Sequence, residues 1–161
     1  MRKFVFFLFV ILCPLQIFSQ ELSPVEKRIS AAVDGETSQL EAFLEKTVNI
    51  ESPTEDIAGV KAVGMLFKKE LDALGFKTRW IDMPADMKRA GHLLAERTGG
   101  KGKRILLLGH LDTVLRGEKF RRDGKMAYGT GISDMKGGNA VILYALRALA
   151  KADVLKEANV T

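Results

Sequence analysis

Two short stretches carry residue types that could do chemistry. In "LLLGHLDTVLRG" (106–117), His110 and Asp112 stand two positions apart directly after an apolar run, and the chain has only one other histidine, His92. A strand puts residues i and i+2 on one face. The carboxylate can then accept a proton from one imidazole nitrogen and leave the other to bind a metal ion. By itself the pair is equally what an ordinary polar strand end provides. In "GTGISDMKGG" (129–138), Gly129, Gly131, Gly137 and Gly138 frame a single acid, Asp134; glycines allow backbone conformations and close approaches that are closed to other residues. Asp134 occupies the place of the third glycine of a dinucleotide fingerprint, and no Gly-Lys-Ser/Thr triplet is present for a phosphate loop. An acid in a glycine-rich turn and a histidine at a strand end make a start for a metal site of imidazole and hard oxygen ligands.

The elements that must position these residues follow from periodicity. Ser23-Pro24-Val25-Glu26 reads as a helix start with a capping box. Val25, Ile29 and Val33 recur at helical spacing and, after a break at Gly35, so do Leu40, Phe43, Leu44 and Val48. Pro53 ends this helix by pushing Ser52 out of the helical region. A second helix carries Val60, Val63, Phe67, Leu71 and Leu74 and closes at Gly75. Extended segments follow at 76–83, 92–97 and 104–110, and the unalternating Leu106-Leu107-Leu108 suits a central strand covered on both faces. Asp123-Gly124 signals a hairpin turn. After "GTGISDMKGG" comes an apolar helix, "NAVILYALRALAKA", and "ANVT" reads as the start of another strand. Helices and strands in this order argue for a three-layer α/β domain.

Composition narrows the classes of function. With 161 residues and 47% hydrophobic content the chain suffices for one domain. Residues 1–19 hold Arg2 and Lys3, then an apolar run from Phe4 to Leu12 and a polar exit, the layout of a secretory signal peptide. Cleavage is expected near Ser19, giving a secreted or periplasmic product with no stable membrane association, because the run is shorter than the ~20 residues a spanning helix needs. Cys13, the single cysteine, is either removed with the leader or a lipid anchor. A mature chain then has no thiol, so any metal must be held by His, Asp and Glu. Its charge, 23 basic against 20 acidic residues, includes no long basic run and gives nucleic-acid binding no support.

"LLLGHLDTV" and "AYGTGISDMKGGNAVIL", in this order, resemble the two N-terminal signatures of the co-catalytic zinc exopeptidases, the family of glutamate carboxypeptidase, aminoacylase, acetylornithine deacetylase and succinyl-diaminopimelate desuccinylase. The second stretch is most similar to the secreted bacterial glutamate carboxypeptidase branch. The resemblance implies an α/β/α catalytic domain and two zinc ions, with cobalt as a possible substitute. It makes His110 a ligand of one zinc, Asp134 the bridge between both, and Asp112 the group that holds the His110 ring. It also implies a cis peptide bond at Asp134–Met135, and a substrate that is a small peptide or N-acyl amino acid, cleaved at an amide beside a free carboxylate. The family's Glu-Glu pair, its further zinc ligands and its homodimerisation domain have no counterpart in the sequence, which is therefore expected to be an N-terminal portion (20–161) inactive by itself. The alternative is a non-enzymatic remnant or binding module that keeps the fold without turnover. His92 is expected at a sheet end, Trp80 in packing, and Arg121, Arg122 and Lys125 in solvent around the hairpin. Lys136 stands either at the mouth of the site or as the structural start of the helix, and Glu157 lies before the expected strand.

Overall fold

Ser23 opens the first helix as its sequence requires: its hydroxyl accepts the Glu26 amide at 3.3 Å, and the Glu26 carboxylate accepts the Ser23 amide at 2.7 Å. The computed structural model describes residues 21–161, so the expected leader lies outside the described residues. Helix α1, Pro24–Asp34, buries none of its residues, and Val25 and Val33 are exposed. The break at Gly35 is deep enough to separate it from α2, Thr37–Val48, where one interrupted helix was expected. Between them Glu36 is buried and its carboxylate meets Arg147 at 2.8 Å and also Lys151.

Helix α3, Ile57–Ala73, is capped by Asp56, which accepts the Gly59 amide at 2.9 Å. It ends at Gly75 with a φ of 79°, where Phe76 N–H reaches back to the Leu71 carbonyl at 3.1 Å. Arg97 donates to the Leu74 and Gly75 carbonyls at 2.8 and 3.3 Å, satisfying acceptors that the helix end leaves over.

Strands β1, Lys77–Ile81, and β2, His92–Glu96, pair antiparallel. Strand β3, Arg104–Ile105, is followed by the hairpin of β4, Arg121–Asp123, and β5, Met126–Tyr128. The two central residues of that turn are Gly124 and Lys125, one position later than Asp123-Gly124, because Gly124 (φ 55°) takes the first central place of the turn. Helix α4, Gly137–Lys151, leads to β6, Asn159–Val160, which runs parallel to β3. Arg97 and Val160 exchange backbone bonds of 2.8 and 2.9 Å, which sets β6 between β2 and β3. The α/β class expected from the sequence is the one observed.

The core lies between this sheet and the helices. Phe43 of α2, Val63 and Phe67 of α3, and Ala140, Leu143 and Tyr144 of α4 form one buried cluster, in which the Phe43 and Phe67 rings meet edge-on at 5.0 Å. Phe76, Leu146, Leu155 and Val160 form a second. Trp80 is a packing residue, as expected: a Cβ on Gly64 of α3 would stand 2.6 Å from its ring and 3.0 Å from Leu111, so the missing side chain lets helix and sheet close together. Its indole N–H donates to the Ala90 carbonyl at 3.1 Å.

The leucine run departs from expectation. Leu106 is 63% and Leu108 75% exposed, and the regular strand stops at Ile105. The segment bonds to β6 as far as Leu107 N–H, which reaches the Thr161 carbonyl at 2.8 Å. Beyond that bond, a cleft of about 680 Å³ lies along Leu93, Leu107 and Leu108. The apolar character was read correctly, but cover on both faces needs partners that do not stand there among the described residues. No helix among those residues is long and apolar enough to cross a membrane.

The Phe43–Phe67 contact gives a direct test. Phe67→Ala should lower unfolding free energy by ~3–5 kcal/mol in urea titrations, the cost of emptying an aromatic site in a packed core.

Candidate metal centre

His110 reaches its place because the backbone before it lies against α4. A Cβ on Gly109 would fall 2.1 Å from Asn139 Oδ1, so any side chain there would displace Asn139. Asn139, buried in the first turn of α4, donates to the His110 carbonyl at 2.6 Å. The glycine-rich loop closes in from the other side. Gly131 has a φ of 76°, and a Cβ on it would stand 2.4 Å from Thr113 Cγ2. The loop turns irregularly through Ile132–Lys136 before α4 begins, and its Asp134–Met135 bond is cis, as the resemblance implied.

These approaches bring together two side chains 24 residues apart in sequence: His110 Nε2 lies 2.8 Å from Asp134 Oδ1. On the opposite side of the ring, Nδ1 lies 3.0 Å from the Asp112 carbonyl and 3.3 Å from Asp112 Oδ1. All three sequence candidates therefore meet, in the order Asp112, His110, Asp134. Asp112 Oδ2 accepts the Thr54 hydroxyl at 2.6 Å.

With both acceptors on its side, Nδ1 carries a proton. The Nε2 lone pair then faces a carboxylate oxygen, which is favourable only with a cation between them. A second proton on the ring is one such cation. A metal ion is another, since two ligands each ~2.0–2.2 Å from one ion can lie as close together as these atoms. The donor set, a neutral imidazole nitrogen and a carboxylate oxygen, fits a zinc-like ion. Among the described residues no third His, Cys, Asp or Glu completes a metal-holding group.

Electrostatics agree with this geometry. Partial burial pushes the His110 pKa down, but the bonds to Asp134 and to the Asp112 carbonyl, with both carboxylate charges, raise it overall. For Asp112, burial pushes upward, and the Thr54 hydroxyl and His110 outweigh it to hold the carboxyl below its ordinary range. Lys136 takes the structural one of its two expected places, at the start of the helix. It does not stand at the mouth of the site but is buried, with its ammonium donating to the Ile50 carbonyl at 2.6 Å. Burial, reinforced by the charge of Lys119, lowers its pKa to about 8.

The remaining candidates take no part. His92 opens β2 opposite Ile81 and is exposed, as a sheet-end residue. Arg122 pairs with Glu41, and the Arg121 guanidinium stacks 3.9 Å over the Tyr128 ring. Glu157 pairs with Lys101 at 3.1 Å. Thr54 and Asn139 were missed by sequence reasoning. Their only sequence signals are a hydroxyl residue after Ser52-Pro53 and an amide in the first turn after Gly137-Gly138, and neither signal names its distant partner.

On this α/β scaffold the glycine-framed aspartate meets the histidine of the first motif, and comparison with known proteins finds peptidases and an amide hydrolase among its relatives. Residues 106–161 match the peptidase family M20/M25/M40. Carboxypeptidase G2 of Pseudomonas sp. (strain RS-16) is 40% identical over 136 residues, which are 81% of this chain and 32% of that protein. The succinyl-diaminopimelate desuccinylase of Corynebacterium glutamicum is 37% identical over 67 residues, 40% of this chain and 18% of that protein. In fold, the chain superimposes on the Saccharomyces cerevisiae dipeptidase Dug1p with a TM-score of 0.71 and 17% identity, covering 83% of this chain and 33% of that one. Over residues 106–161 the chain is similar to the peptidase family M20/M25/M40, and the relatives named here are hydrolases. It spans about a third of the length of carboxypeptidase G2.

The raised His110 pKa fixes a pH dependence. A group bound more tightly to its proton in the folded state adds stability that is full below its unfolded value, near 6.5, and is lost as pH rises through the folded value. In metal-free buffer, the stability difference between wild type and His110→Gln should therefore shrink as pH is raised from about 6 to 8. Urea titrations across that range test it, and a difference that does not change with pH would contradict the Asp112–His110–Asp134 contacts.

Proposed function

We propose that this chain carries part of the metal centre of an M20-type metallopeptidase or amidohydrolase that cleaves an amide bond beside a free carboxylate, with His110 and Asp134 as metal ligands. The observation that carries this reading is the 2.8 Å approach of His110 Nε2 to Asp134 Oδ1. The names of the relatives, a carboxypeptidase and a desuccinylase, support a small peptide or N-acyl amino acid as substrate. A family site of this kind takes two zinc ions, with cobalt as a substitute, and these would polarise the scissile carbonyl and lower the pKa of a bound water.

The chain's own residues do the positioning. Asp112 holds the Nδ1 proton and so presents the Nε2 lone pair outward. Asn139 fixes the backbone of His110, and the glycine loop carries the Asp134 carboxylate to meet it. The leader-like pattern of residues 1–19 supports export to the periplasm or beyond, with residues 20–161 as the mature portion.

By itself the chain is expected to bind metal weakly and not to turn over. Attack on an amide needs a base for the water proton, and losing one typically costs ~10²–10⁴-fold. Groups that act as a unit fail together. The second reading is a binding module that keeps the fold without turnover.

Calorimetry with zinc should show weak binding that His110→Ala or Asp134→Ala abolishes. The chain supplied with zinc should show no measurable hydrolysis of acyl-glutamate substrates, and should gain it when joined to a complete C-terminal portion of the family. Tight binding of two zinc ions, or turnover by the chain alone that Asp134→Ala removes, would overturn the expectation of an incomplete site. Zinc binding that survives both substitutions would overturn the ligand assignment.

A further inference from the structure

The segment between α2 and α3 touches both metal motifs, although it lies more than fifty residues upstream of either. Thr113 N–H donates to the Ser52 carbonyl at 2.8 Å, and Thr54 N–H donates to the Thr113 carbonyl at 3.1 Å, a parallel bridge centred on Pro53 and Thr113. Ser52 is fully buried. The Ile50 carbonyl accepts the Lys136 ammonium at 2.6 Å, two residues past Asp134. Asn49 accepts the Phe120 amide through its side chain at 2.9 Å and the Lys119 ammonium through its carbonyl at 3.0 Å. Residues 49–54 thus form a strap, fixed through its backbone to the segment that follows His110 and Asp112 on one side and to the glycine loop on the other.

Thr54 turns this fixed strap into a contact with the site. Its side chain is held at the end of the bridge, and its hydroxyl donates to Asp112 Oδ2 at 2.6 Å. The Asp112 side chain is one-third exposed, so without that bond water could solvate either oxygen and the carboxyl plane could turn freely. With Oδ2 taken, Oδ1 is left facing His110 Nδ1 at 3.3 Å, where it joins the Asp112 backbone carbonyl at 3.0 Å as a second acceptor for the same ring proton. The protonated nitrogen of the ring is then the one turned away from Asp134.

We propose that Thr54 is a positioning residue of the metal centre: from the 49–54 strap its hydroxyl orients Asp112, and through Asp112 it sets the tautomer and orientation of His110. Its consequence for metal affinity rests on the assignment of His110 as a ligand, whereas its consequence for the imidazole does not. A group bonded directly to a ligand, as Asp112 is to His110, typically tunes metal affinity by about 10–100-fold, and Thr54, one bond further out, acts through part of that effect.

The test compares Thr54→Val, which keeps the branched shape and removes the hydroxyl, with Thr54→Ser, which keeps the hydroxyl. In the metal-free chain at a pH where His110 is neutral, imidazole ¹⁵N spectra report the fraction of Nδ1–H tautomer, with His92 as internal reference. Thr54→Val should lower that fraction at His110 and leave His92 unchanged, and Thr54→Ser should restore it. In titrations with Co²⁺, Thr54→Val should weaken binding by up to about 10-fold and Thr54→Ser should stay near wild type. The effect of Thr54→Val on the tautomer should vanish in an Asp112→Asn background, because the hydroxyl acts only through that carboxylate. If valine is not accommodated, Thr54→Ala enters the same comparison.

An unchanged tautomer fraction in a folded Thr54→Val protein overturns the proposal, as does a full-sized effect in the Asp112→Asn background. If the wild-type chain takes up no Co²⁺, the ligand assignment falls, and the imidazole spectra alone decide whether Thr54 positions the ring.

Discussion

Backbone approaching closer than any side chain would permit is the constraint on which this site rests. At Gly109 the extended segment after β3 lies against the Asn139 side chain, and at Gly131 the loop lies against the Thr113 side chain; a Cβ at either place would sit 2.1 or 2.4 Å from its neighbour. Real Cβ atoms do not come so near. The two glycines let the carriers of His110 and Asp134 close on one another, and the hydrogen bonds that follow, Asn139 to the His110 carbonyl and Lys136 to the Ile50 carbonyl, hold them there.

The same elements that build the core deliver the site. Helix α4 is anchored by Ala140, Leu143 and Tyr144 against α2 and α3, and the residue just before this buried stretch, Asn139, fixes His110. Lys136, at the entrance to the helix, is buried as an ammonium on the Ile50 carbonyl, and burial lowers its pKa. Core and centre are therefore coupled through one helix: what stabilises its packing also sets the distance between imidazole and carboxylate.

Charge balance gives the arrangement its chemical character. Asp112 and Asp134 stand on opposite sides of one imidazole, and the ring answers by holding its proton more firmly than an isolated histidine does. Acids so placed favour positive charge between ring and carboxylate, whether carried by a proton or by a metal ion. The two compete, because a metal needs the neutral ring. This competition is a property of the chain's own residues and links its folding to its proposed chemistry.

Local features were legible in the sequence because their causes are local. The capping box at Ser23, the glycine stop of α3, the hairpin at 121–128 and the strand beginning at Asn159 depend on residues a few positions apart, and they appear where the pattern put them, the turn shifted by one residue. His110, Asp112 and Asp134 were legible through their types, their spacing and the family likeness of two motifs. What only the tertiary structure decided are contacts between residues far apart in the chain: Thr54 with Asp112 across 58 positions, Asn139 with His110 across 29, and Lys136 with Ile50 across 86. The exposure of Leu106 and Leu108 belongs with them. An apolar run records that a segment can be buried, but cover is supplied by whatever packs beside it, and neither the identity of a distant hydrogen-bond partner nor the presence of a covering strand is written in the residues of the segment itself.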